Sequence, residues 1–278
     1  MGARVIALVA VATVASCGRL GFDDLDSVAA LPFVGAAIVS ELHASGSSEE
    51  DPSLTADMLE IFFERDQSLW TARRDTIDAP FAAPTLLEEL KLATEWTPEI
   101  SPDGLTLTFA STLTGMGDIY VAIRPDRSSA WSPPQRIAAL SSTEPDEGAV
   151  TTTDLRAVVL ASSRAGGMGA LDLFAAGGAG DPIVWDAPRG LAELNSPADD
   201  FSPFVHEPSG ALYFTSARSG NKDLYVAYDT GDGFSAAEPL VELDTPAREA
   251  DSWVSPDGHT IYFTRTIDAS SIIFRASR

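Results

Sequence analysis

At 278 residues and 45% hydrophobic composition, the chain is long enough for one large β domain or two ordinary ones and apolar enough to bury a core, which excludes disorder over most of its length. Its formal net charge of −23 excludes nucleic acid and anionic lipid surfaces as partners, because their phosphates repel it. Cationic partners and divalent ions remain compatible.

The first sixteen residues carry Arg4, an apolar run from Val5 to Ala15 and small residues at the end, and read as an export signal. The run falls short of the roughly 20 apolar residues that a bilayer span needs. The single cysteine follows in Val14-Ala15-Ser16-Cys17. This context resembles the lipobox of bacterial lipoproteins, which implies cleavage before Cys17 and a diacylglycerol on its thiol. A lone thiol in an exported chain has no disulfide to form. Under that resemblance Gly18, standing where an Asp would retain the protein at the inner membrane, favours the outer membrane, and residues 17–30 read as a tether.

From Leu31 onward short β-branched and aromatic runs alternate with Gly, Pro, Asp and Ser, the signature of strands and turns. Five apolar anchors, Phe63, Phe109, Leu160, Phe214 and Phe263, recur 46 to 54 residues apart. Each is followed by a second run (68–72, 118–122, 172–176, 223–227 and 272–276). The first four are then followed by an aromatic and Pro-bearing segment starting at Phe81, Trp131, Trp185 and Phe234. With an inner strand before the anchor, each unit is four strands, and Pro is tolerated in the outermost because that edge has no ladder bond to lose. The Ser-Pro-Asp-Gly at 101–104 and 255–258 is a hairpin turn: Pro presets φ, Asp caps, and Gly accepts positive φ. Pro208-Ser209-Gly210 does similar work.

The last unit ends at Arg278 without an outer strand, and Leu31–Leu42 supplies one: Phe33, Ile38 and Leu42 echo Phe81, Leu86 and Leu90. The expectation is an all-β, five-bladed β-propeller of four-stranded blades over 31–278, its last blade closed by the N-terminal strand.

Ser101-Pro102-Asp103-Gly104 with Asp118-Ile119-Tyr120, and Arg218-Ser219-Gly220 with Asp223-Leu224-Tyr225, resemble the WD40-like PD40 repeats of TolB-type propellers, found in many periplasmic or surface proteins of bacteria. The resemblance covers about 31–278 and carries the fold. TolB itself has an added N-terminal domain and more blades, for which Cys17 to Leu31 leaves no room, so its partner does not transfer.

Acids gather in the loops that enter the inner strands: Glu49, Glu50 and Asp51; Glu95 and Glu99; Asp146 and Glu147; Asp199 and Asp200; Glu249 and Asp251. Asp51, Glu147 and Asp251 each stand three residues before an apolar strand residue, a position held in the second unit by Thr97. Converging carboxylates raise one another's pKa or recruit a cation, with Ca2+ as the candidate and no other cofactor expected. Arg65, Arg164, Arg218 and Arg265 follow the anchors by at most four residues on the same face, so pairing between blades is the alternative. The candidate ligand-binding set at the channel mouth is Asp51, Glu99, Glu147, Asp200, Asp251, Arg164, Arg218 and Arg265. Asp118, Asp172 and Asp223, each opening a strand after a Gly-bearing loop, read as caps of their own turns. His43, His206 and His259 are scattered with no zinc spacing, and no Gly-x-Ser-x-Gly occurs.

These features point to a non-enzymatic, lipid-anchored, monomeric module that binds a protein or peptide in the cell envelope. The alternative is a carbohydrate-active enzyme with carboxylates at the mouth and Trp96 and Trp253 as sugar-stacking platforms, which needs a raised-pKa acid and a partner carboxylate roughly 5–10 Å away.

Overall fold

A computed structural model describes residues 31–278. The signal 1–16, the lipidation site Cys17 and the tether to residue 30 lie outside the described residues. The chain forms five antiparallel sheets. Blade 1 runs Glu49–Leu54, Glu60–Arg65, Ser68–Arg73, Thr85–Leu86; blade 2 runs Glu95–Ile100, Thr106–Ser111, Asp118–Ile123, Gln135–Arg136. In blade 3, Asp146–Thr151, Ala157–Ser162 and Asp172–Ala179 are edged by a split outer strand, Val184–Trp185 and Arg189–Gly190. Blade 4 is Asp200–His206, Ala211–Ser216, Asp223–Tyr228, Glu238–Pro239.

Blade 5 takes Glu249–Val254, Thr260–Ile267 and Ser270–Ser277 from the C-terminal end and its outer strand, Val34–Ile38, from the N-terminal end. Val34 pairs with Ser277 and Ile38 with Phe274. The expected closure is therefore present, with one change of detail. Phe33 and Leu42 are both 1% exposed, but Ile38 is 43% exposed and Val39 is the buried neighbour.

All five anchors are fully buried. The core is five wedges, one between each pair of adjacent blades, such as Phe62, Leu107 and Phe109 between blades 1 and 2, and Tyr213, Ile261 and Phe263 between blades 4 and 5. Phe33 joins the latter wedge, so the closing strand carries core as well as ladder bonds.

The hairpin turns behave as the sequence indicates. Thr106 and Thr260 donate N–H to Ser101 and Ser255 Oγ at 2.8 and 2.9 Å, while Asp103 and Asp257 accept Leu105 and His259 N–H at 2.9 and 3.0 Å. Gly104 and Gly258 sit at φ 78° and 73°, where glycine escapes the Cβ penalty.

Outer clamps escaped the sequence reading. Arg74, Arg124 and Arg278 lie 4.4 Å over Phe81, Trp131 and Phe33 respectively. Their Nε groups donate to the carbonyls of Met58, Gly104 and Gly258 at 2.8, 2.7 and 2.6 Å, fastening each outer strand to its hairpin turn.

Candidate functional site

Registers align the inner strands residue by residue and sort the predicted site into tiers. The first position of each, Glu49, Glu95, Asp146, Asp200 and Glu249, is at most 1% exposed. Four of these acids face an arginine of their own blade: Arg65–Glu49 at 3.1 Å, Arg164–Asp146 at 2.5 Å, Arg218–Asp200 at 2.7 Å and Arg265–Glu249 at 2.6 Å. Each guanidinium also donates to the carbonyl of Leu42, Leu140, Leu194 or Leu243, in the segment arriving from the preceding blade. It stacks on the anchor or third-strand aromatic as well, as Arg218 does at 4.9 Å over Tyr225. Asp200, Arg164, Arg218 and Arg265 are thus consumed in fastening blades. The ion pair lies within a blade, and the carbonyl makes the connection between blades. Blade 2 departs: among the described residues no arginine reaches Glu95, which accepts Leu92 and Ala93 N–H instead.

The third position, Asp51, Thr97, Gly148, Ser202 and Asp251, has φ between 47° and 59° in all five blades, and each inner strand shifts register there. Five left-handed bulges ring the axis. Thr97 and Gly148 donate N–H to Asp51 Oδ2 and Thr97 Oγ1 at 3.2 and 2.9 Å, and Ser202 Oγ donates to Asp251 Oδ1 at 2.7 Å. This ring narrows the channel to a space of about 10 Å3, roughly one water. Glu147 is not in it. The residue at the blade 3 bulge is Gly148, and Glu147 occupies the second position with Glu50, a correction of one residue: Val150 is the fifth residue of its strand, whereas Leu54 and Val254 are the sixth of theirs.

Glu50, Glu64 and Glu147 cluster above the ring, where Trp96 Nε1 donates to Glu147 at 2.8 Å. Lys222, 4.4 Å over Phe201, is a cation whose charge acts on Glu50 and Glu147. Burial raises Glu50, Glu147 and, to about 7, Glu64, with neighbouring carboxylates adding to it. Asp51 is raised well above its usual range by burial first, then by Asp251 and Glu64. Asp251 accepts Thr264 Oγ1–H at 2.8 Å.

The large cavity opens at the other end of the channel, among the hairpin turns. It measures about 770 Å3 and is walled by Leu54, Val150, Phe204, Val254, Thr108 and His206. Glu99 is the one predicted site residue that reaches it. Burial, with Asp251 adding, lifts its carboxyl to about 8, although Ser53 Oγ donates to it at 3.1 Å. Trp253 is 4% exposed and packs on Phe204 and Tyr262, so it is a wall and not a stacking platform. The sequence signal for this cavity is the end of each inner strand: the sixth position (Leu54, Ile100, Thr151, Val205, Val254) lines it in all five blades and the fifth (Glu99, Val150, Phe204, Trp253) in four, a pattern visible only once the bulge is known.

No protein-family model and no curated protein matches the chain. Solved structures do. The endo-arabinase from Bacteroides thetaiotaomicron aligns with TM-score 0.62 at 10% identity, over 85% of this chain and 96% of that one. The alpha-L-arabinofuranosidase from Lactobacillus brevis gives 0.59 at 15%, over 86% and 92%. A putative TolB from Agrobacterium tumefaciens gives 0.54 at 17%, over 84% and 77%. At these identities the likeness establishes a fold shared by binding propellers and glycosidases alike.

Proposed function

We propose that the protein is a non-enzymatic binding propeller of the bacterial cell envelope, exported and lipid-anchored through Cys17, that holds a peptide or protein segment in its axial cavity. The observation carrying this reading is the cavity: about 770 Å3, largely apolar in its walls and narrowed at the ring of bulges. That volume lies in the range of ligand sites and suits an apolar side chain or short peptide stretch. Glu99, protonated near neutrality, offers a hydroxyl donor to a ligand carbonyl, and it ionises when a cationic group arrives.

Glycoside hydrolysis has one observation in its favour, the raised carboxyl of Glu99 in a cavity. Its partner carboxylate is harder to find. Asp103 is held by Ser101 Oγ and Leu105 N at 2.6 and 2.9 Å, and Glu207 by Thr153 N and Oγ1 at 2.7 and 2.6 Å. The two other carboxylates of the cavity wall, Asp103 and Glu207, are both tied to hairpin turns, which favours binding over hydrolysis.

Ala56 is exposed and lines the cavity, so Ala56→Trp obstructs it without touching the core. Crosslinking in envelope fractions is expected to capture a partner with the parent protein and lose it with Ala56→Trp, while an arabinan and xylan panel stays intact. Sugar release abolished by Glu99→Gln overturns the binding reading. For the anchor, Cys17→Ser is expected to move the protein from the membrane to the soluble fraction.

A further inference from the structure

On the rim between blades 4 and 5, away from both the ring and the cavity, oxygen atoms of Asp223, Asp244 and Glu249 lie within 4.8 Å of one another. Asp223 opens the third strand of blade 4, Asp244 stands in the link to blade 5, and Glu249 opens the inner strand of blade 5. Asp223 is 4% exposed and its Oδ1 has no hydrogen-bond partner among the described residues. Its other oxygen accepts the Ser219 hydroxyl. A buried carboxylate oxygen without a donor costs free energy unless something positive completes it.

Of the equivalent positions, blade 3 leaves Asp172 Oδ1 without a partner among the described residues in the same way, and blade 2 shows what can complete it. In blade 2, Asp118 Oδ1 receives Arg136 Nη2 at 2.6 Å. The residue of blade 4 in register with Arg136 is Pro239, which brings neither charge nor donor. The residue matching Asp244 is Ser141 in blade 2 and Asn195 in blade 3. Those side chains accept the N–H of Ile119 and Leu173 at 3.1 and 2.8 Å. Asp244 makes no such bond among the described residues. It faces Asp223 instead, and its carboxyl, although largely exposed, is raised by local desolvation first and then by the charge and contact of Asp223. Glu249 adds a third carboxylate. Arg265 occupies its Oε1 at 2.6 Å, while Oε2 has only Thr245 N–H at 3.3 Å. Three carboxylates against one guanidinium leave two formal charges uncompensated.

We infer that Asp223, Asp244 and Glu249 bind a hard divalent cation of the Ca2+ class, which joins blade 4 to blade 5 and supplies Asp223 with the positive charge that Arg136 gives Asp118 within blade 2. Ca2+ takes six to eight oxygen ligands with tolerant geometry, so three carboxylates from three segments, completed by water at the exposed Asp244 side, meet its requirement. The cation replaces a repulsive contact with a bridge, and it stabilises the folded state by mass action because the unfolded chain does not assemble the three groups.

The test uses CaCl2 on chelator-treated protein, read by calorimetry and by thermal melting. The expected result is one Ca2+ per chain and a Tm rise of about 5–10 °C at a hundredfold excess over Kd. Asp244→Asn is exposed, is safe for folding, and copies the amide of blade 3. It is expected to weaken binding at least tenfold while raising the Tm of the Ca2+-free protein. Asp51→Asn, at the axis, is expected to bind as the parent does. No heat and no Tm shift up to about 10 mM CaCl2, above the weak extracellular range, overturns the proposal. So does an equal response to KCl at matched ionic strength, or a response kept by Asp244→Asn and lost by Asp51→Asn.

Discussion

Replacing Glu99 by Gln is expected to stabilise the protein by an amount that grows as pH rises from about 5 and levels off above about 8. In the folded state the carboxyl titrates near 8 and in the unfolded chain near 4.5. Below the unfolded value both states hold the proton and stability is insensitive to it. Between the two values the folded state alone retains the proton, so stability falls as pH rises, levelling off above the folded value. Each unit is worth about 1.4 kcal/mol, which sets a ceiling of about 5 kcal/mol. Glu99 borders an open cavity, and screening by water there reduces the expected effect to ~2 kcal/mol. Gln keeps the acceptor for Ser53 Oγ and never ionises. Urea unfolding at pH 5, 7 and 9 is expected to give matching stabilities at pH 5 and a variant ~2 kcal/mol more stable at pH 9. A variant equal to or weaker than the parent at pH 9 refutes the claim that Glu99 is held in its neutral form by burial.

Three further outcomes test the architecture. Arg218→Met strands Asp200, which is fully buried; the expected loss is about 3–5 kcal/mol by urea denaturation, since a lone buried charge costs more than the pair contributes. Leu113 stands two residues after Ser111, as Arg164 and Arg218 stand after Ser162 and Ser216, and is 51% exposed. Leu113→Arg is therefore expected to supply the cation that Glu95 lacks, raising the Tm by about 2–4 °C for ~1 kcal/mol. Phe33→Ala removes a 1%-exposed ring from the wedge between blades 4 and 5, and about 3–5 kcal/mol should be lost, with protease nicking near the N-terminal strand as the second readout.

The number of blades, the hairpin turns and the closing strand were legible in the sequence because each rests on local chemistry: an anchor every 50 residues or so, a Pro-Asp-Gly turn, an outer-strand pattern displaced to the other end of the chain. The site was legible only in part. Asp51, Glu99, Glu147 and Asp251 do gather on the axis, but spacing alone put Glu147 where Gly148 stands. It also grouped Asp200, Arg164, Arg218 and Arg265 with a mouth that they do not line. Every inner strand carries a bulge whose left-handed residue is Thr, Asp, Ser or Gly, with no common letter to mark it. One inserted residue turns every later side chain to the opposite face. Which acid meets an arginine, which meets only other acids, and which end of the channel stays open were therefore decided by the closed ring. Those outcomes depend on what five separate strands bring to one axis, and no single repeat contains that information.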